Sequence, residues 1–371
     1  MATVALVLLS ITYQLRVRSS MSDFAVNFQA GQRLAKGDAL YRVTDGHFMF
    51  KYLPASAFVY LPLVGLPSEV AKAVWFACSL AALVGLFTIA NRLVPRRATR
   101  HALLLSGLVL AKYFLHELRL GQVNILVTCV MLASVGALVS RPGTGAAELR
   151  AGTLAGLAIA LKPYAALMIP YLIVTRRWRS VAALSVTLAV ALAVPTLFYG
   201  VEGNVSLLRE WAATLSQSTP TLLTNNDNVS VVAFFTKWRG EASRALLPTA
   251  VVLGILAALT LAVISRGKND PGAPVLEGAL VLTLIPLVSP LGWDYTFLMS
   301  LLAVLLIVNH LQAFPQPARW LLVANFGIVA LAVYDVMGRT AYATFMQWSV
   351  TTVNFVVVVV ALAHLRFRQV C

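Results

Sequence analysis

The chain has 371 residues, of which 59% are hydrophobic and 12% are charged, and its net charge is +15. Soluble domains carry about 25% charged residues, so this chain has too few to cover a water-facing surface, and a soluble globular protein is excluded. The basic excess lies mostly in short turns between apolar runs, which is typical of the cytoplasmic loops of membrane proteins and their anionic lipid neighbours, so no nucleic-acid partner is expected.

The apolar residues form long runs, and a membrane-spanning helix needs roughly 20 such residues. Alternating apolar and polar patterns are nearly absent, and open sheet edges are unfavourable in lipid. The sequence therefore predicts an all-α, polytopic transmembrane helical bundle of about 10–12 spans, forming one multi-pass domain over residues 1–371.

The first apolar run, Ala2 to Tyr13, lacks the basic start and the small-residue cleavage site of a signal peptide, so it is predicted to be the first transmembrane segment. A polar first outer loop follows over 14–54. Within it, the apolar and polar residues from Phe24 to Leu34 predict a helix lying along the membrane surface, ended by the stretch from Lys36 to Asp38.

The next segment, "PASAFVYLPLVGLP", is broken by prolines and predicts a helix that enters the membrane without crossing it. Further spans are predicted at 69–91, 102–117, 122–140, 150–175, 179–199, 246–265, 275–291, 294–311, 318–336 and 346–365. The 150–175 segment contains "LKPY", and because Pro163 interrupts a helix it forms either one kinked span or two shorter ones. A second outer loop is predicted over 200–245. With the arginine-rich turns at 92–100 and 176–179 in the cytoplasm, both large loops lie on the opposite face.

Four polar groups lie at or near the ends of apolar segments. They are Ser22-Asp23, "RLGQVN" from Arg119 to Asn124, Lys162-Pro163, and "VSPLGWDY" from Val288 to Tyr295. Ionisable and amide groups at membrane depth are costly unless they face protein or a water-filled cavity. This pattern favours their convergence on one cavity on the non-cytoplasmic side.

Each group also has a purely structural explanation. Asp23 would cap the surface helix, and Gln122 and Asn124 would cap the next span or bond between helices. Lys162 would extend its ammonium to the membrane interface. Trp293 and Tyr295 would belong to an interfacial aromatic belt. The five histidines and three cysteines show no metal-ligand spacing, so no metal site is expected.

With "LGQVN", "LKPY", "SPLGWDY" and the polar stretch "SDFAVNFQAGQRLAKGDALY", the chain resembles glycosyltransferase family 87. The segment from Pro54 to Val94 and the stretch "NNDNVSVVAFF" are similar to two further elements of that family, in the same order. These bacterial integral-membrane enzymes of the GT-C superclass are typified by polyprenol-phosphate-mannose-dependent mannosyltransferases.

The resemblance implies an activity. Such an enzyme lies in the bacterial plasma membrane and takes a sugar, by default mannose, from a polyprenyl-phosphate donor. It transfers the sugar with inversion to a glycan or glycolipid acceptor on the non-cytoplasmic face. The implied partners are this lipid-linked donor, the acceptor and membrane lipids, and no cofactor is implied beyond the donor.

The resemblance also implies roles for residues. Asp23 matches the general base, which accepts the acceptor proton. Positive groups near the leaving phosphate stabilise its developing charge, and Lys162 is the first candidate and Arg119 the second. Substrate contacts are expected from the amides and aromatic rings, and the candidates for these are Gln122, Asn124, Asn226, Trp293 and Tyr295.

One position departs from the family. Many members carry histidines after the tryptophan of "SPxxW", whereas this chain has Asp294, Tyr295 and Thr296. Asp294 therefore takes part in binding or competes with Asp23 as the base. A transporter or flippase of lipid-linked or small polar substrates is the alternative function, because an intramembrane Lys162 and broken helices suit it. A polymerase or ligase of surface polysaccharide is the third.

Overall fold

The computed structural model describes residues 11–94, 98–267 and 270–368. Every regular element in these ranges is helical, and the β-contact between Asn228 and Trp293 is an isolated bridge. The predicted all-α, polytopic fold is confirmed. Most of the predicted first segment, Ala2 to Tyr13, lies outside the described residues, as do Arg96, Arg97 and Cys371.

The α-helices in the first half of the described chain are α1 Ser22–Lys36, α2 Ser68–Leu93, α3 Arg100–Val109, α4 Ala111–Leu120, α5 Asn124–Ser140, α6 Gly145–Leu161, α7 Met168–Val174 and α8 Trp178–Ala193. Those in the second half are α9 Thr196–Leu222, α10 Val231–Arg239, α11 Ala242–Arg266, α12 Ala273–Val288, α13 Leu301–Asn309, α14 Gln316–Leu331, α15 Tyr334–Met337, α16 Arg339–Gln347 and α17 Val350–Phe367. Shorter 3-10 segments are Val43–Phe48, Pro54–Leu63, Pro163–Leu167, Asp294–Ser300 and Leu311–Ala313, and Tyr13–Val17 is a π-helical turn.

Three of the described helices, α2, α11 and α17, are by themselves long and apolar enough to cross a membrane. The pair α8 and α9 also passes this test when taken together, but it is bent by 94°. Six shorter apolar helical segments lie along the described chain. The count of about 10–12 spans stays a prediction.

Two predicted spans are each divided into shorter helices. The span predicted over 102–117 is divided at Leu110 into the helices α3 and α4. The 150–175 span is interrupted at Lys162, whose extended backbone is the conformation that a following proline favours. After Lys162, the 3-10 segment and α7 bring Arg179 next to Gly145 at the start of α6. The chain therefore reverses direction at Lys162, and 150–175 forms two segments.

Helices α6 and α8 pack closely through small residues. A Cβ atom added to Gly152 would lie 2.1 Å from the carbonyl oxygen of Ser180, and one added to Gly156 would lie 2.7 Å from Cβ of Thr187. The Ser180 hydroxyl donates a hydrogen bond of 2.8 Å to the carbonyl oxygen of Glu148. This G-xxx-G contact is a common way to join helices in lipid, where apolar surface alone gives no preference for protein.

The helix predicted in the first outer loop is present as α1, and Gly37 ends it with a left-handed backbone (φ 71°). Its position along the membrane surface stays a prediction. The second outer loop differs from a plain loop, because it contains most of α9, with a kink at Gly200, and all of α10. The two outer loops pack together. The Tyr199 hydroxyl donates to the carbonyl oxygen of Asp38 (2.7 Å), and the indole N–H of Trp211 donates to that of Lys51 (3.1 Å).

Candidate active site

A cavity of about 270 Å³ opens where the outer loops meet the helix ends. The first turn of α1, the last turns of α4 and the 288–295 boundary contribute to its wall. Four of the residues predicted from the sequence line it, namely Asp23, Gln122, Trp293 and Tyr295. The polar groups at the ends of separate apolar segments are therefore brought together here.

Asp23 lies in the first turn of α1, where the helix dipole favours a negative charge. Its carboxylate oxygen Oδ2 accepts a hydrogen bond from Nε2 of Gln122. The N-cap position is Met21, and no side-chain cap is formed at this helix end. Capping of α1 therefore does not account for the position of the Asp23 carboxylate. The carboxylate is held instead by Gln122, which is distant in sequence, and it faces the cavity.

Gln122 is placed by the turn between α4 and α5. Gly121 adopts a left-handed backbone (φ 68°), and a Cβ atom there would lie 2.6 Å from Cβ of Phe24. Only glycine allows this turn to approach α1 so closely. The amide oxygen of Gln122 accepts from Nζ of Lys162 (2.9 Å), so its NH₂ group must point towards Asp23.

Lys162 is buried, with 2% of its surface exposed, and lies behind the cavity wall. Its ammonium also donates to Oδ1 of Asn124 (2.6 Å) and lies 5.0 Å from the ring centroid of Tyr52 and 5.3 Å from that of Tyr164. The side chain thus extends into protein and not to a membrane interface. It contacts the site through Gln122 and does not itself line the cavity.

Asn124 connects Lys162 to a buried carboxylate. Oε1 of Glu117 accepts from the backbone N–H groups of Asn124 (2.5 Å) and Ile125 (3.2 Å), and Oε2 accepts from Nδ2 of Asn124 (2.6 Å). Glu117 therefore caps α5. Capping of this span had been one structural explanation for Gln122 and Asn124. Asn124 bonds between segments, as its structural explanation proposed, and it does not line the cavity.

The boundary after α12 is fixed to the second outer loop. The Asp294 backbone N–H donates to the carbonyl oxygen of Asp227 (2.9 Å), and the Val229 N–H donates to that of Gly292 (2.7 Å). Asp294 is only 3% exposed, and its Oδ1 accepts from the Tyr295 N–H and lies 3.5 Å from Nδ1 of His116. His116 lines the cavity whereas Asp294 does not.

Two predicted site residues lie elsewhere. Arg119 is exposed on α4 and does not contribute to the cavity wall. Asn226 is exposed as well, and its carbonyl oxygen accepts from Nζ of Lys237 (2.9 Å). Its neighbours Asn225 and Asp227 line the cavity in its place.

Among the wall residues that the sequence did not single out, four are titratable, namely Lys51, Tyr52, His116 and Asp227. Burial lowers the pKa of the Lys51 ammonium, and the nearby charge of Asp23 partly offsets this effect. Although the Asp227 side chain is partly open, the surrounding protein and the charge of Asp294 raise its pKa. Lys51 and Tyr52 immediately precede the apolar segment at Pro54, which is the same kind of boundary that singled out Asp23. Among the described residues, no three His, Cys, Asp or Glu side chains are grouped to hold a metal ion.

The sequence profile of glycosyltransferase family 87 matches residues 50–290, well over half of the chain. This chain belongs to glycosyltransferase family 87. The match covers half of the cavity wall, since Asp23 and α1 lie before it and Trp293 and Tyr295 lie after it. The family 87 member described here is therefore an integral membrane protein and a glycosyltransferase.

One relative of this family 87 chain is the polyprenol-phosphate-mannose-dependent alpha-(1-2)-phosphatidylinositol pentamannoside mannosyltransferase of Mycolicibacterium smegmatis. The two are 24% identical over 355 residues, which are 91% of this chain and 81% of the relative. Two crystal structures of ArnT from Cupriavidus metallidurans, one in the apo state and one bound to undecaprenyl phosphate, are similar at 15% identity. The alignments cover 98% of this chain and 76% of ArnT, with TM-scores of 0.41 and 0.42.

Proposed function

We propose that this family 87 enzyme transfers a sugar, mannose in the first instance, from a polyprenyl-phosphate donor to a hydroxyl of a glycan or glycolipid acceptor. Asp23 is the general base. The observation that carries this proposal is the Asp23 carboxylate, which faces a polar cavity and is held there by the Gln122 amide. The mannose-specific name of the mycobacterial relative supports the choice of donor.

The proposed reaction is a single displacement with inversion. The acceptor oxygen forms a bond to the anomeric carbon as its proton passes to the Asp23 carboxylate. The bond between that carbon and the phosphate oxygen breaks, and the electron pair leaves on the lipid phosphate. One carboxylate suffices because a phosphate is a good leaving group, while a hydroxyl is a weak nucleophile until its proton is accepted.

The donor phosphate is proposed to bind near Lys51 and His116. Both side chains line the cavity, and a positive group close to the departing phosphate stabilises charge that develops in the transition state. Trp293 offers an aromatic face for the sugar on the same wall. Lys162 does not contact the donor directly in this proposal, because its ammonium donates hydrogen bonds to the amide oxygens of Gln122 and Asn124.

We place the enzyme in the bacterial plasma membrane with the cavity on the non-cytoplasmic face. Helices α6 and α12 both end beside the cavity, at Lys162 and at the segment before Trp293. Their other ends lie near Arg141 and Arg177, and basic turns favour the cytoplasmic side. No cofactor is proposed beyond the lipid-linked donor, and EDTA is expected to leave transfer unchanged.

Purified enzyme supplied with radiolabelled polyprenyl-phosphate-mannose and a membrane glycolipid extract tests the function. We expect label to move into glycolipid, with release of the polyprenyl phosphate in equal amount. Parallel reactions with other polyprenyl-phosphate sugars test the choice of mannose. Movement of intact labelled donor across proteoliposomes, without formation of product from any donor, would instead support the transporter alternative.

A further inference from the structure

Two connected cavities lie between α7, α11 and α12, outside the cavity that Asp23 faces. The first is an apolar groove of about 360 Å³. Of its thirteen lining residues only Tyr171 and Thr260 carry polar groups, and both are engaged: the Tyr171 hydroxyl donates to Glu277 (3.1 Å) and that of Thr260 to the carbonyl oxygen of Leu256 (2.7 Å). Leu261 and Val174 are 50% and 42% exposed at its opening.

The apolar groove continues into a polar cavity of about 600 Å³, which we call the basic cavity. Val174, Leu261 and Ile264 line both spaces, so the two are continuous. Arg176 and Arg177 contribute to the wall of the basic cavity, at the end of α7. A space that is apolar along its length and cationic at one end has the shape and chemistry of a lipid with an anionic headgroup.

The two arginines are held by an unusual helix end. The N–H of Arg177 donates to the carbonyl oxygen of Leu172 (2.9 Å), and that of Arg176 donates to Ile173 (2.9 Å), which is a Schellman motif. Arg176 has the left-handed backbone (φ 56°) that this motif usually gives to glycine. Arg176 therefore occupies a position whose left-handed backbone conformation is unfavourable for residues other than glycine.

The two acidic residues of the basic cavity each have another hydrogen-bond partner, although Arg177 also lies within electrostatic reach of Glu277. Asp270 is engaged by Nη1 of Arg366 at 2.8 Å, and Glu277 accepts from the Tyr171 hydroxyl. The Nε atom of Arg177 is buried and has no hydrogen-bond partner among the described residues. The basic cavity thus presents cationic donors whose partner is expected to come from outside the chain.

From this geometry we propose that the apolar groove and basic cavity bind an anionic glycerophospholipid, with one acyl chain in the groove and the phosphate on Arg176 and Arg177. The groove reaches Val288, at the end of α12 nearest the sugar site, but the basic cavity that would hold the phosphate is separate from the sugar site. Helix α12, with 16 residues, starts at the basic cavity and ends near Trp293, so the two lie about 24 Å apart along its axis. The inference does not depend on the proposed sugar transfer.

Native mass spectrometry of delipidated enzyme tests this proposal with equimolar phosphatidylglycerol and phosphatidylcholine of the same acyl chains. Wild type is expected to retain phosphatidylglycerol preferentially. The double variant Arg176→Gln, Arg177→Gln is expected to bind it about thirtyfold more weakly, because each basic residue near a lipid headgroup contributes about a factor of five. Ala257→Trp fills the groove and is expected to abolish retention of both lipids, which tests the groove independently of charge.

Arg179→Gln is the control, because it removes one positive charge from the same turn but outside the basic cavity, and it is expected to retain phosphatidylglycerol. Equal retention of phosphatidylglycerol by the wild type and the double variant would overturn the proposal. So would equal retention of the two lipids by the wild type, or displacement of phosphatidylglycerol by inorganic phosphate or by an equimolar amount of polyprenyl phosphate. Normal elution on gel filtration shows that each variant is folded.

Discussion

At the scale of single residues, the site is a chain of fixed hydrogen bonds that ends on one carboxylate. Glu117 sets the orientation of the Asn124 amide, whose oxygen then faces Lys162. Lys162 in turn fixes the orientation of the Gln122 amide, so that its NH₂ group faces Asp23. Each amide is held at both ends, so neither can turn over without losing a charged partner. With Asp23 as the proposed base, this order predicts that Gln122 and Lys162 act as positioning residues.

Gln122→Met tests this positioning, because methionine has a similar shape but no amide. We expect kcat to fall by about a hundredfold while the donor KM changes little, since a displaced catalytic group costs roughly that much. Gln29→Met, on the exposed face of α1, is the control and should leave both parameters unchanged. An equal loss through KM alone would show that Gln122 binds substrate and does not position Asp23.

The proposed contact of Lys51 with the donor phosphate predicts that the donor affinity depends on pH. Because burial lowers the pKa of its ammonium, Lys51 loses its charge at a lower pH than a free lysine does. We expect the donor KM to rise on the alkaline side as this charge is lost. Lys51→Arg stays charged and should shift that rise to higher pH, because arginine has a pKa above about 12. The same alkaline limb in both enzymes would exclude Lys51 from phosphate binding.

At the scale of elements, helix α1 is held in place by the rest of the first outer loop. Arg33 and Asp45 form a partly buried two-pronged ion pair with distances of 2.5 Å and 2.8 Å. Phe24 stacks against Phe28 and contacts Tyr60 and Trp75, whose indole N–H donates to the carbonyl oxygen of Gly121. The element that carries Asp23 is thus fixed to the turn that carries Gln122.

Asp45→Asn should loosen the first outer loop at neutral pH. The Arg33 guanidinium lowers the pKa of Asp45, so the stabilisation is present above the ordinary aspartate pKa of about 4 and is lost as the pH falls through the lower folded-state pKa. A charged hydrogen-bonded pair contributes about 2 kcal/mol, which corresponds to about thirtyfold faster tryptic cleavage in the loop. Asp38→Asn, half-exposed, is the control. Equal cleavage of both variants would contradict this role.

The same elements show how far sequence reasoning reached. The helix over α1 and its end at Gly37 were predicted, because amphipathic spacing and glycine at a C-terminus are local signals. The helices α9 and α10 in the second outer loop were not, because the polar residues between them are typical of a loop, and whether this region folds into helices depends on contacts such as that of Trp211 with Lys51. The reversal at Lys162 was left open, since a proline indicates a break but not its angle.

At the scale of the whole molecule, several helices of the bundle pack against each other through glycines and not through large apolar side chains. Gly152 and Gly156 allow α6 and α8 to touch, and Gly278 of α12 is close to Val135 of α5, with a Cβ atom there only 2.5 Å from a methyl carbon. The Gly278 contact joins α5 to α12, whose opposite ends, at Asn124 and Val288, lie beside the site. The position of the site therefore depends on glycines far from it.

Gly152→Val should destabilise the bundle, because its side chain would overlap the backbone of Ser180 and overpacking costs about 3 kcal/mol. We expect an apparent melting temperature several degrees lower in detergent. Gly254→Val is the matched control, since the same change in α11 meets open space. Equal melting temperatures for the two variants would show that the α6–α8 contact contributes little.

At this scale the sequence predicted the class of fold and the family, and four of the nine residues that it selected line the candidate cavity. Asp23, Gln122, Trp293 and Tyr295 were found because they interrupt apolar segments. Lys51 and His116 were missed, and Arg119 was given a role that its exposed position does not explain, because which face of a helix meets the cavity is set by tertiary packing. Lys162 was expected at the phosphate and lies behind Gln122, since its burial could not be read from its neighbours.

The most direct test of the account compares Asp23→Asn with wild type in single-turnover transfer from labelled polyprenyl-phosphate-mannose. Asparagine keeps the size of the side chain and removes the base, so we expect donor binding to persist and the transfer rate to fall by at least about a hundredfold. Asp38→Asn, from the same outer loop, should transfer at the wild-type rate. Transfer by folded Asp23→Asn at the wild-type rate would contradict the account and direct attention to Asp294.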